Sequence, residues 1–275
     1  MESGRQISAG EQIKGNLQAH FAYYRRSRLL LAFGLVFLIL GALFSLPAIF
    51  GQSHVKTFAA LQNIFGLFND FLIVFSAALG LFIISSHLRA RNLKMVFTKP
   101  CPPQLWLGSA FLSAVAASLL LNILILVCAI AVSLVWHMRV QAGLVFVSLS
   151  TFAASVGLIG YLMFLAMIMH PVLAAVFALI FNPDIFYGMH VWTQGMITAG
   201  TKSAILRGLS HLFHFVYMVL PMVHAFPKET GRIQTALRVE PGQWHYAFYS
   251  LGYALALAAL CYCLSLFFLE RKRLI

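Results

Sequence analysis

The chain has 275 residues, of which 61% are hydrophobic and only 9% charged, and its net charge is +12. Soluble domains carry about 25% charged residues, so an ordinary soluble protein is excluded. Apolar runs of about 20 residues without strand-like alternation predict an all-α, polytopic membrane protein rather than a membrane β-barrel. Most of the Lys and Arg residues flank these runs, within 1–28, 87–104 and 270–275. This distribution favours membrane topology and anionic headgroups over nucleic acid as the reason for the charge.

The first 28 residues are polar and basic, and they contain one apolar stripe at helical spacing. The stripe consists of Ile13, Leu17, Phe21 and Tyr24. It predicts an interfacial helix on the cytoplasmic surface that runs into the first membrane span. A disordered tail with a stop-transfer flank is the alternative interpretation.

Six spans are predicted within a single transmembrane domain, with both termini in the cytoplasm. The third apolar run exceeds one bilayer thickness, so it must tilt or project. The fourth contains several Gly and Ser residues, which favour close helix contacts. The predicted spans are 29–50, 64–86, 105–135, 143–169, 172–190 and 246–269.

The fifth span is the weakest of the six. Only ten apolar residues, Val172–Phe181, precede the sequence Asn-Pro-Asp, and ten residues make about 15 Å of helix, or half a bilayer. Either the helix kinks at Pro183 and continues to about His190, or it breaks and re-enters.

The segment 191–245 follows the fifth span and has a mixed character. Its most apolar part is interrupted by Arg207, His211 and His214. An amphipathic or re-entrant helix pair on the outer face is therefore predicted.

The short segment between the second and third spans, 87–104, is basic and contains no acid, so it is predicted to be cytoplasmic. Its interior is too apolar for a solvated loop. This mixture predicts a short helix at the membrane face that binds a soluble partner. The cations are Arg89, Arg91, Lys94 and Lys99, and the apolar residues are Leu93, Met95, Val96 and Phe97.

Catalytic and nucleotide-binding motifs are absent from the sequence. It has no phosphate-binding G-x-x-x-x-G-K-[ST] loop, no His-Glu-x-x-His and no G-x-S-x-G. None of the seven acids lies at the middle of a well-defined span, which disfavours ion-coupled transport. The pattern favours a translocation path without its own energy source, completed most simply by a separate soluble ATPase.

Three segments resemble the permeases of the ABC type-2 transporter family. They are 84–100 with Leu105–Gly108, the Leu-Pro-Met-Val-His-Ala-Phe element at 220–226, and the aromatic, basic ending at 267–274. The chain is most similar to the branch containing the permeases of nitrous-oxide reductase maturation and gliding motility. It departs from the family pattern where Arg89, Arg91 and Asn92 replace a usual Glu and Gly-Thr pair, and where Met222 replaces a common Asn.

The resemblance implies an exporter in the inner (plasma) membrane, whose pathway is formed by two permease subunits, either identical or related. Two cytoplasmic ATPase subunits would bind ATP and Mg, whereas this chain would hold no cofactor or metal and catalyse no reaction. The contacts with the ATPase would be Arg89, Arg91, Leu93, Lys94, Phe97, His170 and Pro171. The outer lid would include Leu220, Pro221 and Phe226.

Two other function classes remain open at this stage. A scaffold or assembly subunit would use the basic segment to dock a different protein, and would recruit a periplasmic or envelope partner. A lipid-modifying enzyme would need a polar cluster at one membrane face. Its candidate residues are Asp184, His211, His214 and His224.

Overall fold

A computed structural model describes residues 8–26, 54–87, 102–199, 203–220 and 243–273, together with the helical positions 32, 34–36 and 39. The predicted first span, 29–50, and nearly all of the basic segment therefore lie outside the described residues. Within the described ranges every regular element is an α-helix, which confirms the all-α prediction.

Eight helices occupy the described ranges. In chain order they are α1 (Ala9–Arg26), α2 (His54–His87), α3 (Pro103–Val135), α4 (Ala142–Ile168), α5 (Pro171–Ile180), α6 (Pro183–Thr198), α7 (Ala204–Val219) and α8 (Trp244–Arg273).

Five helical stretches are long and apolar enough to cross a membrane. They are Ile64–Phe82, Pro103–Val135, Ala142–Ile168, Pro171–Thr198 and Trp244–Arg271. These stretches coincide with five of the six predicted spans and are consistent with a multi-pass membrane protein. Helix α7 is apolar but shorter.

Helix α2 begins before the membrane span that it contains. The segment between the first two predicted spans, 51–63, is helical from His54 onwards. No Gly or Pro interrupts residues 54–63, so the backbone continues as a helix where the hydropathy falls. Hydropathy therefore marked the membrane edge and not the end of the helix.

Helix α3 ends in a hydrogen-bonded cap that turns the chain into α4. The backbone N–H of Met138 donates to the carbonyl of Ser133 at 2.8 Å, and that of His137 donates to Leu134 at 3.0 Å. His137 has a φ of 54°, the left-handed conformation that this pair of bonds requires at the end of a helix. The cap thus reverses the chain within the few residues that separate the third and fourth predicted spans.

Helix α4 is the central element of the bundle. Of its span, 78% is buried, against 28% for α3. It packs most extensively against α8 and α2, and also contacts α3 and α5. The small residues predicted to favour close contacts lie on this helix, and they are what allow four neighbours to surround it.

The contact between α4 and α8 is close enough to exclude larger side chains. A Cβ atom at Gly160 would lie 2.9 Å from the Cα of Ala258. The two helices run parallel, because Phe146 stacks edge-on with Trp244 at 5.6 Å near their starts. Helix α2 approaches α4 in the same way, since a Cβ at Gly80 would lie 3.2 Å from a backbone carbonyl oxygen of α4.

The predicted fifth span is interrupted and then resumes. Helix α5 ends at Ile180, and α6 starts at Pro183, with the Asn182 carbonyl accepting a 3.0 Å bond from the N–H of Ile185. A residue that precedes proline is disfavoured in helical geometry, which explains the break at Asn182. Phe181 bridges it, because its ring stacks on those of Phe177 at 4.3 Å and Phe186 at 6.0 Å.

Candidate functional site

Four helix ends meet at one end of the bundle. Helices α2, α4 and α8 run parallel, and α3 runs antiparallel to them. The start of α3 lies beside the end of α8, where Gln104 meets Tyr262, whereas its middle lies beside the start of α4, where Asn122 meets Ser148. Helix α2 meets the middle of α3 at Ser76 and the later part of α4 at Gly80. The ends of α2, α4 and α8 therefore lie beside the start of α3. The α4–α5 turn is at this end, and the chain leaves it after His87 and returns to it before Pro103.

His170 and Pro171 form the turn between α4 and α5. Pro171 occupies the first position of α5, where its missing N–H costs nothing. The Nδ1 atom of His170 accepts a 3.4 Å bond from the N–H of Val172, which caps the helix. His170 is exposed, so the predicted second contact with an ATPase is accessible at this end.

The remaining predicted ATPase contacts cannot be placed. Arg89, Arg91, Leu93, Lys94 and Phe97 all lie outside the described residues, and their role stays a prediction.

The segment predicted to be an interfacial helix forms helix α1. Ile13, Leu17 and Phe21 are half-buried, and Tyr24 is 1% exposed. The Tyr24 hydroxyl lies 3.0 Å from the hydroxyl of Ser113 in α3. Burial raises the pKa of Tyr24, and the bond to Ser113 partly offsets this, so the phenol stays neutral and holds α1 against α3.

A capping box begins α1. The Ser8 hydroxyl accepts from the N–H of Glu11 at 3.3 Å, and the Glu11 carboxylate accepts from the N–H of Ser8 at 3.1 Å. This Ser-x-x-Glu arrangement satisfies backbone donors that would otherwise be unpaired. The Ser-x-x-Glu spacing is visible in the sequence and marks the start of α1.

Helix α8 is tied to the start of α3. The Tyr262 hydroxyl donates to the backbone carbonyl of Gln104 at 2.8 Å. A Cβ at Gly108 would come within 3.3 Å of this hydroxyl, so the glycine one turn away leaves room for the bond. The segment after the basic loop is therefore fixed to the last helix.

Hydrogen bonds also link the helices deep inside the bundle. Asn122 of α3 donates to the Ser148 carbonyl of α4 at 2.9 Å, and the Ser148 hydroxyl donates back to the Asn122 side chain. The hydroxyls of Ser76 and Ser118 lie 2.8 Å apart between α2 and α3. The sequence shows Asn122 as a strongly polar residue inside an apolar run, but its partner could not be read from the sequence.

Helices α6 and α7 form a hairpin that packs mainly on itself. Its interior is polar: Thr193 and Ser210 are 0% and 1% exposed. Its large apolar side chains point outwards, with Phe215 at 66% and Trp192 at 63% exposure. A hairpin in water would show the reverse, so this arrangement suits an apolar environment.

The polar contacts of the hairpin centre on Ser210. The Nδ1 atom of His190 lies 3.0 Å from both the carbonyl and the hydroxyl oxygen of Ser210. The amide of Gln194 donates to the same hydroxyl at 2.9 Å. A carbonyl oxygen only accepts, so the first contact requires a proton on Nδ1.

The histidines considered for an enzyme are only partly brought together. The ring of His214 lies 4.8 Å from that of His190, whereas His211 is exposed on the adjoining face. His224 and the side chain of Asp184 lie outside the described residues. No group of three or more His, Cys, Asp or Glu residues in the described ranges could hold a metal ion.

The predicted outer lid is described only at its first residue. The N–H of Leu220 donates to the Val216 carbonyl at 3.0 Å and so terminates α7. Pro221 and Phe226 lie outside the described residues.

Sequence reasoning missed His190, Gln194 and Ser210 as a unit. Each is unremarkable alone, because they lie on two helices and share no motif. A signal did exist in α7, where Ser210 falls on the same face as Arg207 and His214 at spacings of three and four.

Comparison of the chain with models of known families, with curated proteins and with solved structures finds no match.

Proposed function

We propose that this chain is the membrane permease subunit of an ATP-driven ABC exporter. It would form the translocation pathway with a second copy or a related chain and dock a cytoplasmic ATPase dimer that binds ATP and Mg. The main support is the convergence at one bundle end of the α4–α5 turn, the flanks of the basic segment and the attachment of α8 to α3. This end would face the cytoplasm.

The packing around α4 supports a transmission role for this end. A displacement of His170 by a docked ATPase would move the end of α4, the most buried of the described spans. A push on the basic segment acts on α2 and α3, which flank it. Because Gly80 and Gly160 bring α2 and α8 close to α4, displacement of one helix requires the others to move. ATPase closure would use these contacts to alternate the exposure of the pathway.

The hairpin α6–α7 supports a role at the opposite face. Its apolar exterior fits the outer leaflet of the inner membrane, and its polar centre at Ser210, together with ring contacts such as that of Tyr187 with Tyr217, holds the two short helices together. It would act as the lid with Leu220, Pro221 and Phe226.

Copurification tests this proposal most directly. The tagged chain is expressed with its neighbouring genes, extracted in mild detergent and analysed by mass spectrometry. An ABC ATPase in equal stoichiometry is expected, with loss of binding when Arg89, Arg91 and Lys94 are changed to Glu. The control is Arg139→Glu, which reverses an exposed cation at the other bundle end and should leave the ATPase bound.

Other outcomes would redirect the proposal. A well-folded preparation without a nucleotide-binding partner would overturn the permease function. If a periplasmic or envelope protein copurified instead, the scaffold function would replace it. A lipid-modifying activity lost in His211→Ala and His214→Ala together would favour the enzyme.

A further inference from the structure

A layer of buried polar side chains lies where α2, α3 and α4 meet. Asn69 of α2, Asn122 of α3 and Ser148 of α4 are 4%, 4% and 6% exposed. Asn122 and Ser148 bond to each other across the α3–α4 contact. Asn69 donates from its amide nitrogen to the Phe65 carbonyl of its own helix at 2.8 Å, but its Oδ1 atom is buried and has no hydrogen-bond partner among the described residues.

The Oδ1 atom of Asn69 is expected to have a partner. Leaving a buried acceptor unpaired costs the free energy of removing it from water, and the large majority of such groups bond to protein or to ordered water. Rotation of the amide by half a turn supplies no partner, because the oxygen would then face the Phe65 carbonyl, which only accepts. The partner is therefore a donor that the described residues do not provide.

Asn69 points towards the contact between α3 and α4. It lies seven residues before Ser76, which bonds to α3, and eleven before Gly80, which packs against the backbone of Ile159 in α4. Seven and eleven residues are close to two and three whole helical turns, so the three positions share one face of α2. Because α2 and α4 run parallel, the contact of Gly80 with Ile159 places Asn69 at the level of Ser148.

The bond between Ser76 and Ser118 gives the corresponding level on α3. Helix α3 runs antiparallel, and Asn122 lies about one turn beyond Ser118, whereas Asn69 lies about two turns before Ser76. Asn69 and Asn122 are therefore separated along the bundle by about 5 Å. One small molecule can bridge such a separation.

Space for a small molecule lies beside the Asn69 amide. The bond to Phe65 folds the amide back over the preceding turn of α2, where Gly66 carries no side chain. A Cβ atom at Gly66 would meet nothing within 4 Å. The polar layer is therefore not closed off by packing on this side.

Water is the ligand whose hydrogen bonds match this layer. It can donate to Oδ1 of Asn69 and to the hydroxyl oxygen of Ser148, and it can accept from the second N–H of Asn122, whose first N–H bonds to the Ser148 carbonyl. Buried water molecules usually make about three such bonds. An ion is disfavoured because none of the three side chains carries a charge.

We infer that a water molecule is bound between Asn69, Asn122 and Ser148 and that it links α2 to the α3–α4 pair. Asn69 lies about 8 Å inside the start of the Ile64–Phe82 span, so the site is near one surface of the membrane, from which water can enter. This site does not depend on the proposed transport function.

NMR transfer of magnetisation from water to side-chain amides tests the inference on the full chain in lipid nanodiscs. The chain is labelled with nitrogen-15 asparagine, and its six asparagines give few side-chain signals to assign. Transfer to the amides of both Asn69 and Asn122 is expected, with the sign of a long-lived bound water. Asn69→Leu removes the acceptor and should abolish the transfer to Asn122.

Ser76→Ala is the matched control, because it removes another buried polar group from the same face of α2 and should leave the transfer unchanged. Absence of transfer to either amide in the wild-type chain would overturn the inference. Transfer to Asn122 that persists in Asn69→Leu would also overturn it, since the signal would then come from exchange of the Ser148 hydroxyl proton. Equal loss in Ser76→Ala would show general loosening of the bundle in place of a bound water. Each variant has to elute as the monodisperse wild-type species, and Asn69→Met replaces Asn69→Leu if the latter fails to fold.

Discussion

The α4–α8 contact and the α6–α7 hairpin hold two helices together by different means. Between α4 and α8, Gly160 lets the backbones approach until an added Cβ would meet the Cα of Ala258 at 2.9 Å. Between α6 and α7, His190 and Gln194 converge on the buried Ser210. Lipid supplies no hydrophobic force between helices, so close packing and hydrogen bonds are the two means available. The α4–α8 contact therefore depends on close packing, and the α6–α7 contact depends on hydrogen bonds.

Gly160→Ala tests the shape-dependent contact and should have the largest effect. The new Cβ meets a backbone atom that cannot rotate away, so the helices must separate. Overpacking of this kind should lower the free energy of unfolding by about 1–3 kcal/mol. Detergent-induced or thermal unfolding of the purified chain measures this change in the free energy of unfolding.

Gly157→Ala provides the matched control one turn away. There the new Cβ would lie 3.5 Å from the Cδ2 of Leu257, an ordinary contact. The better helix propensity of alanine should leave stability unchanged or raise it by up to about 1 kcal/mol. A loss equal to that of Gly160→Ala would show that close approach is not what distinguishes this contact.

Asn122→Ala tests a hydrogen bond that lies within the closely packed part of the bundle, where Asn122 of α3 bonds to Ser148 of α4. Its loss leaves the Ser148 hydroxyl without its acceptor and should cost about 1–2 kcal/mol. A double-mutant cycle with Ser148→Ala should give a coupling energy of about 0.6–1.7 kcal/mol. Strictly additive single effects would argue against the pair.

Ser210→Ala tests the polarity-dependent hairpin. It removes the hydroxyl that accepts from Gln194, a bond worth about 0.5–1.5 kcal/mol. Because the hairpin packs mainly on itself, amide exchange in α6 and α7 should rise while the melting temperature of the bundle changes little. Ile205→Ala, at a 75% exposed position, should alter neither, and a lowered melting temperature in Ser210→Ala would mean that the hairpin supports the whole bundle.

Tyr262→Phe should have the smallest effect. It removes only the bond to the Gln104 carbonyl, worth about 0.5–1 kcal/mol, and the ring remains. Thermal unfolding should show a slight loss relative to Tyr249→Phe, whose side chain is 65% exposed. In Tyr262→Phe, the amides in the first turns of α3 should exchange faster than in Tyr249→Phe. Identical exchange in both variants would contradict the attachment of α8 to the start of α3.

Hydropathy predicted most of the architecture, because about 20 consecutive apolar residues have few alternatives to a membrane helix. It could not predict the start of α2 at His54, since a helix continues beyond the membrane wherever the backbone permits. The Asn-Pro sequence located the interruption between α5 and α6, because the disfavoured backbone geometry before proline is local, but it left a kink and a break as alternatives.

Pairing between helices could not be predicted in the same way. The glycines of α4 indicate that some helix approaches closely, but nothing in their spacing identifies Ala258 as the neighbour. The same holds for Ser148 and Asn122, and for His190 and Ser210, whose partners lie on other helices. The predicted contacts with an ATPase at Arg89, Arg91 and Lys94 stay predictions because they lie outside the described residues.

The central position of α4 also bears on how the chain is synthesised. Its most extensive neighbour, α8, begins at Trp244, long after α4 ends at Ile168. At about 5–20 residues per second, the face of α4 that carries Gly160 waits roughly 4–15 s for its partner. During that time it is open to chaperones, proteases and other nascent helices. Ribosomes that stop before Trp244 would release a protein in which α4 lacks its cover on the face that α8 occupies, so premature termination should lead to rapid degradation.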